Sequence, residues 1–214
     1  MEALEGTVFV VDDDPDIRHA MRRLLDEVHL PVSEFSDARH FLDEFERGSP
    51  GCIILDVRMP GMSGIELQKR LQSEGVSTPV IIVTGHGDIP MAVDAVQRGA
   101  FDFLEKPFAA QALLDRIQDA LRYDRELREL GERRTEIEER YARLTPRERE
   151  VIDLVVTGKT NKQIAADLGV SSQAIDARRA NAMRKLGTTN IPELTEFMLR
   201  YREDIRSRPQ PELR

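Results

Sequence analysis

Cysteine is nearly missing from these 214 residues. Cys52 stands alone, so no disulfide can form within the chain, and its place beside Ile53 and Ile54 reads as a small buried side chain. Long apolar runs are missing as well. None approaches the roughly 20 residues that cross a bilayer, so no membrane association is expected. The opening stretch MEALEGTVFVVDDD is acidic and enters a β-rich segment, which does not read as a secretory signal. These shortages together suit the cytoplasm. Positive charge is scarce in one half only. Residues 1–122 hold 12 Lys/Arg against 22 Asp/Glu, a net of −10, whereas the remainder holds 19 against 17, a net of +2. An asymmetry of that kind predicts two domains with different partners.

What is present in the first half is alternation. Short β-rich runs over 7–12, 31–35, 51–56, 79–85 and 101–106 alternate with helical patterns over 17–28, 37–47, 64–73 and 88–98, and a last helix starts near Ala109. The middle runs are apolar on both faces, as strands of a parallel sheet covered on both sides must be. The crevice of such a sheet lies at the carboxyl ends of its strands. Asp12, Asp13, Asp56, Thr84 and Lys106 all fall there. Consecutive aspartates repel unless a cation sits among them, and carboxylate oxygens with water suit Mg²⁺ and a phosphate partner. A hydroxyl and an ammonium at the neighbouring strand ends would complete a site able to place a phosphoryl group on Asp56.

The stretches VVDDD, ILDVRMPGMSG and VTGHGDIPMAVDAVQRGAFDFLEKPF resemble the receiver domain of two-component response regulators, in the FixJ-like branch, over about residues 5–125. The resemblance implies a phospho-acceptor at Asp56. It also implies Mg²⁺ bound directly by Asp13, Asp56 and the Arg58 backbone carbonyl, with Asp12 acting through water. Thr84 would be the switch hydroxyl, Phe103 the aromatic rotamer switch, and Lys106 the partner of the phosphoryl oxygens, followed by a cis bond to Pro107. His86 reads as a loop residue near the site.

Proline is absent from residues 113–144, which read as one helix. Ala120, Tyr123, Leu127, Leu130, Ile137, Tyr141 and Leu144 follow heptad spacing, interrupted by Arg134 and loosened by Gly131. A coiled coil and an exposed spacer docking on its own domain both satisfy that pattern. Beyond it the chain is helical throughout. Thr145, Pro146 and Glu148 form a capping box before the first of these helices. A short helix over 160–169 and a longer one over 171–187 flank a tight turn at Leu168-Gly169-Val170, matching a helix-turn-helix. Residues 142–187 carry nine basic and five acidic side chains. A fourth helix runs from Ile191 to about Asp204, and the final residues read as disordered.

LTPREREVIDLVVTGKTNKQIAADLGVS and RRANAMRKLG resemble the LuxR/NarL/FixJ-type four-helix DNA-binding domain over 142–205. Gln173, Asp176, Ala177, Ala180 and Arg184 fall on the side expected to face the groove. Phosphate contacts are expected from Asn161, Lys162, Ser171 and the arginines Arg178, Arg179 and Arg184. The recognition helix departs from the family pattern at Ala174-Ile175 and Arg178, and Asp176 places an acid where it could accept from cytosine.

The expected architecture is therefore a five-stranded, parallel, doubly wound (flavodoxin-like) receiver over 1–122, a helical linker over 123–141, an all-α DNA-binding domain over 142–205 and a tail over 206–214. The expected function is phosphorylation of Asp56 by a sensor histidine kinase, then homodimerisation, binding of double-stranded DNA and regulation of transcription through RNA polymerase. No enzymatic role is expected beyond self-phosphorylation and slow autodephosphorylation at Asp56. A regulator controlled by a partner or small molecule without phosphorylation is the alternative. So is a phosphatase of the haloacid-dehalogenase type, whose Asp-x-Asp pattern Asp12-Asp13-Asp14 superficially satisfies, although such an enzyme has no need of the 142–205 segment.

Overall fold

The computed structural model describes residues 6–85 and 89–206; His86 and residues 207–214 lie outside them. Two compact units form, dividing between Arg128 and Glu129.

In the first unit, strands β1 (Thr7–Val11), β2 (Val32–Phe35), β3 (Gly51–Asp56), β4 (Val80–Thr84) and β5 (Asp102–Glu105) form one sheet in the order β2-β1-β3-β4-β5. Every pairing is parallel. The helices between them are α1 (Pro15–Glu27), α2 (Ala38–Glu44), α3 (Gly64–Ser73), α4 (Ile89–Gln97) and α5 (Ala110–Ala142). Successive strand residues serve opposite layers. Val8, Val10, Cys52, Ile54, Ile81 and Val83 pack with Met21 and Leu25 of α1 and Leu113, Ile117 and Leu121 of α5. Phe9, Val11, Ile53, Leu55 and Ile82 pack on the other face with Phe41 of α2 and Leu67 and Leu71 of α3. Two covered faces explain why the central strands read as continuous apolar runs. The edge strands β2 and β5 are mostly half-buried.

One boundary differs from the sequence reading for a visible reason. Helix α2 stops at Glu44 rather than near residue 47, because Phe45 turns to an extended conformation and sets its ring edge-on to Phe9, 5.1 Å between centroids. Helix α5 does not leave the sheet after its core-facing leucines. Asp124, 3% exposed, accepts hydrogen bonds from Gly51 N (3.0 Å) and Arg128 Nε (2.9 Å) and ties the helix to the foot of β3.

The second unit contains α6 (Pro146–Val155), α7 (Asn161–Leu168), α8 (Ser172–Leu186) and α9 (Ile191–Arg206). Its core joins Val151, Ile152, Ile164, Ile175, Ala182, Leu186 and Leu194, with Ile137 and Tyr141 from the last turns of α5 packed against it. Tyr141 stacks on Tyr201 at 3.7 Å, and the Arg149 guanidinium lies 4.9 Å from the Tyr141 ring. Side chains close the helix starts, the first as the sequence anticipates. Thr145 and Glu148 form a reciprocal capping box, as do Thr160 and Gln163. Gly169 ends α7 at φ +65, a left-handed conformation that favours glycine and makes the sharp turn into α8.

Candidate functional site

Parallel strands bring their carboxyl ends to one edge of the sheet. Asp12 directly follows β1, Asp56 ends β3, Thr84 ends β4 and Lys106 directly follows β5. The Lys106 ammonium lies between two carboxylates, donating to Asp12 Oδ2 at 2.8 Å and to Asp56 Oδ1 at 2.7 Å. Both acids are buried, Asp12 at 2% and Asp56 at 8% exposure. Burial pushes the Asp56 carboxyl above the usual range, further raised by the charge of Asp12, and outweighs the pull of the Lys106 ammonium and the Arg58 amide. Burial works against the Lys106 charge too, but its hydrogen bonds to Asp12 and Asp56 prevail and hold its pKa above the ordinary lysine value. One ammonium thus leaves the crevice acidic.

The backbone reinforces this arrangement. Asp56 Oδ2 accepts from Arg58 N at 2.6 Å, Asp12 Oδ1 from Asp14 N at 2.9 Å, and the Asp12 carbonyl from Arg18 Nη1 at 2.7 Å. Asp14 caps α1, and Asp13 is exposed beside it. Thr84 is fully buried, its hydroxyl donating to the Gly85 carbonyl at 3.3 Å, and Phe103 is half-buried against the core. The Lys106–Pro107 peptide is cis. Among the described residues, no three His, Cys, Asp or Glu side chains converge as a ready metal cage. The donors offered are nonetheless all oxygen, which fits a hard cation that keeps most of its water and binds through one or two carboxylates plus phosphate.

Sequence reasoning missed two positions. A Cβ on Gly64 would stand 1.9 Å from the Asp56 carbonyl oxygen, so only glycine lets the loop after β3 close, with Gly64 N donating to Val57 O at 3.0 Å. Asp124 had a signal, in retrospect: it continues the core-facing stripe of Leu113, Ile117, Ala120 and Leu121, where an acid needs a partner.

In the second unit, α7, the Gly169 turn and α8 adopt helix-turn-helix form. Lys162, Ser171, Gln173, Asp176, Ala177, Ala180 and Arg184 are exposed, and Asn161, Arg178 and Arg179 are half-buried. Ser171 caps α8 by accepting from Ala174 N at 3.2 Å. Some of the expected DNA-contact groups are already engaged. Asn161 Nδ2 donates to Asp176 Oδ1, and Arg179 Nη1 donates to Asn161 Oδ1 at 3.2 Å. Lys185, counted in the basic helix, spends its ammonium on Glu148 at 2.7 Å. Arg184 Nη2 donates to Asn181 at 3.2 Å.

A parallel doubly wound sheet with an acid–lysine crevice at its carboxyl edge, continued by a helix-turn-helix unit, defines a signal-receiving transcription regulator. The chain matches the response regulator receiver domain over residues 8–118 and the luxR family of bacterial regulatory proteins over residues 142–198. It belongs to the two-component response regulators with a LuxR-type helix-turn-helix output. It is 42% identical over 192 residues to the transcriptional regulatory protein FixJ of Azorhizobium caulinodans, covering 90% of this chain and 91% of that one. It is 39% identical over 200 residues to the response regulator protein TodT of Pseudomonas putida, covering 94% and 88% respectively. Among solved structures, the response regulator StyR aligns with a TM-score of 0.88 at 42% identity, covering 91% of this chain and 98% of that one. Full-length FixJ from B. japonicum aligns with a TM-score of 0.57 at 39% identity, covering 93% and 98%. No helix among the described residues is long and apolar enough to cross a membrane.

Proposed function

We propose that Asp56 accepts a phosphoryl group from a phosphohistidine of a sensor histidine kinase. The observation that carries this is the placement of Asp56, buried at the end of β3 with Lys106 Nζ 2.7 Å from Oδ1 and Asp12 beside it. Asp56 Oδ1 attacks phosphorus, the P–N bond breaks, and the donor imidazole leaves as the O–P bond forms. Lys106 steadies the charge on the phosphoryl oxygens. Asp13, Asp56 and the Arg58 carbonyl would hold Mg²⁺ directly and Asp12 through water; when bound, the ion neutralises the incoming oxygens. The Thr84 hydroxyl then turns from Gly85 toward the phosphoryl group, and Phe103 follows into the space it leaves. Self-phosphorylation and slow autodephosphorylation at Asp56 are the only chemistry in this reading.

The face of α4 and α5 then pairs two copies. The receiver spans 1–122, the helical linker 123–141 and the DNA-binding domain 142–205. Two linked DNA-binding domains raise each other's effective concentration on double-stranded DNA, so that weak single-domain binding becomes useful in the dimer. Lys162, Ser171, Arg178 and Arg184 supply phosphate contacts, Gln173 and Ala177 lie toward the bases, and the bound dimer acts on RNA polymerase in the cytoplasm.

Analytical ultracentrifugation with and without beryllofluoride and Mg²⁺ tests the sequence of events. The expected result is monomer converting to dimer in the wild type and no conversion in Asp56→Asn. An Asp56→Asn protein that still dimerises and activates transcription would overturn the role of Asp56.

A further inference from the structure

An acid on a recognition helix needs a reason, because it faces a polyanion. Asp176 lies one turn into α8 on the exposed side, with Gln173, Ala177 and Ala180. It is not the helix cap, a task Ser171 performs. Among the described residues no Lys or Arg forms a salt bridge with it; its partner is the neutral amide of Asn161. Its negative charge is therefore held in place without being cancelled.

The hold is directional. Arg179 Nη1 donates to Asn161 Oδ1 at 3.2 Å, so the amide oxygen is fixed by a group that can only donate. The amide nitrogen of Asn161 must then point the other way, and it donates to Asp176 Oδ1. A guanidinium on α8 sets an amide on α7, and the amide sets a carboxylate back on α8. This bond takes one carboxylate oxygen and orients the other.

Resting on the reading of α8 as a major-groove helix, we propose that Asp176 is a specificity-determining residue that selects cytosine, with Asn161 as its positioning residue rather than a phosphate contact. The chemistry of the groove narrows the choice. Guanine shows N7 and O6 acceptors, and thymine an O4 acceptor and a methyl group; each meets a carboxylate with repulsion or no bond. Adenine offers one amino group flanked by the N7 acceptor. Cytosine alone offers an amino donor without an adjacent acceptor on the same base. Against three bases the acid is a penalty and against the fourth a hydrogen bond, so it discriminates by rejection as much as by attraction.

The test is selection from randomised duplexes by the full-length protein loaded with beryllofluoride and Mg²⁺, followed by sequencing. The wild type is expected to require cytosine at one position of each half-site by ~10-fold or more. Asp176→Ala is expected to flatten that position alone while binding random DNA more tightly, since a repulsive charge is gone. Asp176→Asn moves the preference to adenine, and Asn161→Ala weakens the cytosine preference at the same position. Melting curves matching the wild type exclude unfolding, as neither side chain belongs to the core. A wild-type pattern retained in Asp176→Ala, or no cytosine position in the wild type, overturns the inference and leaves DNA binding standing. Failure of the loaded wild type to enrich any sequence removes both.

Discussion

Gly64 and Asp56 are eight positions apart in sequence and touch through backbone. The loop between them folds back so tightly that a single methyl group at residue 64 would overlap the Asp56 carbonyl oxygen. Gly64→Ala is therefore expected to destabilise the first unit by about 2 kcal/mol or more, within the range for overpacked sites, and to impair beryllofluoride loading at Asp56. Urea unfolding and fluorine NMR of the loaded protein would show both losses; normal loading would mean the loop relaxes without moving the acceptor. A second residue-scale prediction concerns Glu148. Burial raises its pKa, but the bond from Lys185 and those from the Thr145 amide and hydroxyl overcome burial, leaving it below the usual glutamate value. A folded pKa below the unfolded one gives stability that is present above the unfolded value and lost as pH falls through the folded one. The second unit is thus expected to lose stability on acidification below the ordinary glutamate range, and Glu148→Gln to show a smaller loss. Calorimetry of both proteins across that range provides the check, equal pH slopes counting against it.

At the scale of elements, the order and kind of strands and helices in both units were legible, because covered parallel strands and capped helices leave strong local patterns. The paired ends of β1 and β3 were legible too, since buried carboxylates after apolar strands are costly without a cationic partner. What sequence did not show were contacts between remote segments. Nothing near Glu44 announced that Phe45 would leave its helix to meet Phe9. Nothing local told Lys185, which is bound to Glu148, from Arg184, which stays exposed. The heptad pattern in α5 divides in three-dimensional terms: Ala120 is buried in the first unit, Ile137 and Tyr141 pack into the second, and Tyr123 and Leu130 remain 44% and 60% exposed. Gly131 lies in the stretch between, helical, with open space where a Cβ would be. Gly131→Ala should therefore raise thermal stability by about 0.8–1 kcal/mol, visible as a later loss of helical circular dichroism. A drop would reveal a close neighbour at that position.

At the scale of the molecule, charge divides with the domains: an acidic receiver, and a basic helix-turn-helix unit suited to phosphate backbones. The two are joined by one uninterrupted helix of 33 residues. Along the chain, the acceptor and that helix look distant; the hydrogen bond from Gly51 to Asp124 bridges 73 positions. Measured through the fold, they stand at the head and foot of the same six-residue strand, about 17 Å end to end at strand rise. Strand β3 therefore carries Asp56 at one end and is held at the other by a single acid, Asp124. Loading with beryllofluoride is expected to change hydrogen exchange at the Gly51 amide, and an unchanged rate would send the message by another route. If a shift of Asp56 travelled along its strand, it would reach α5 through one hydrogen bond, from Gly51 to Asp124.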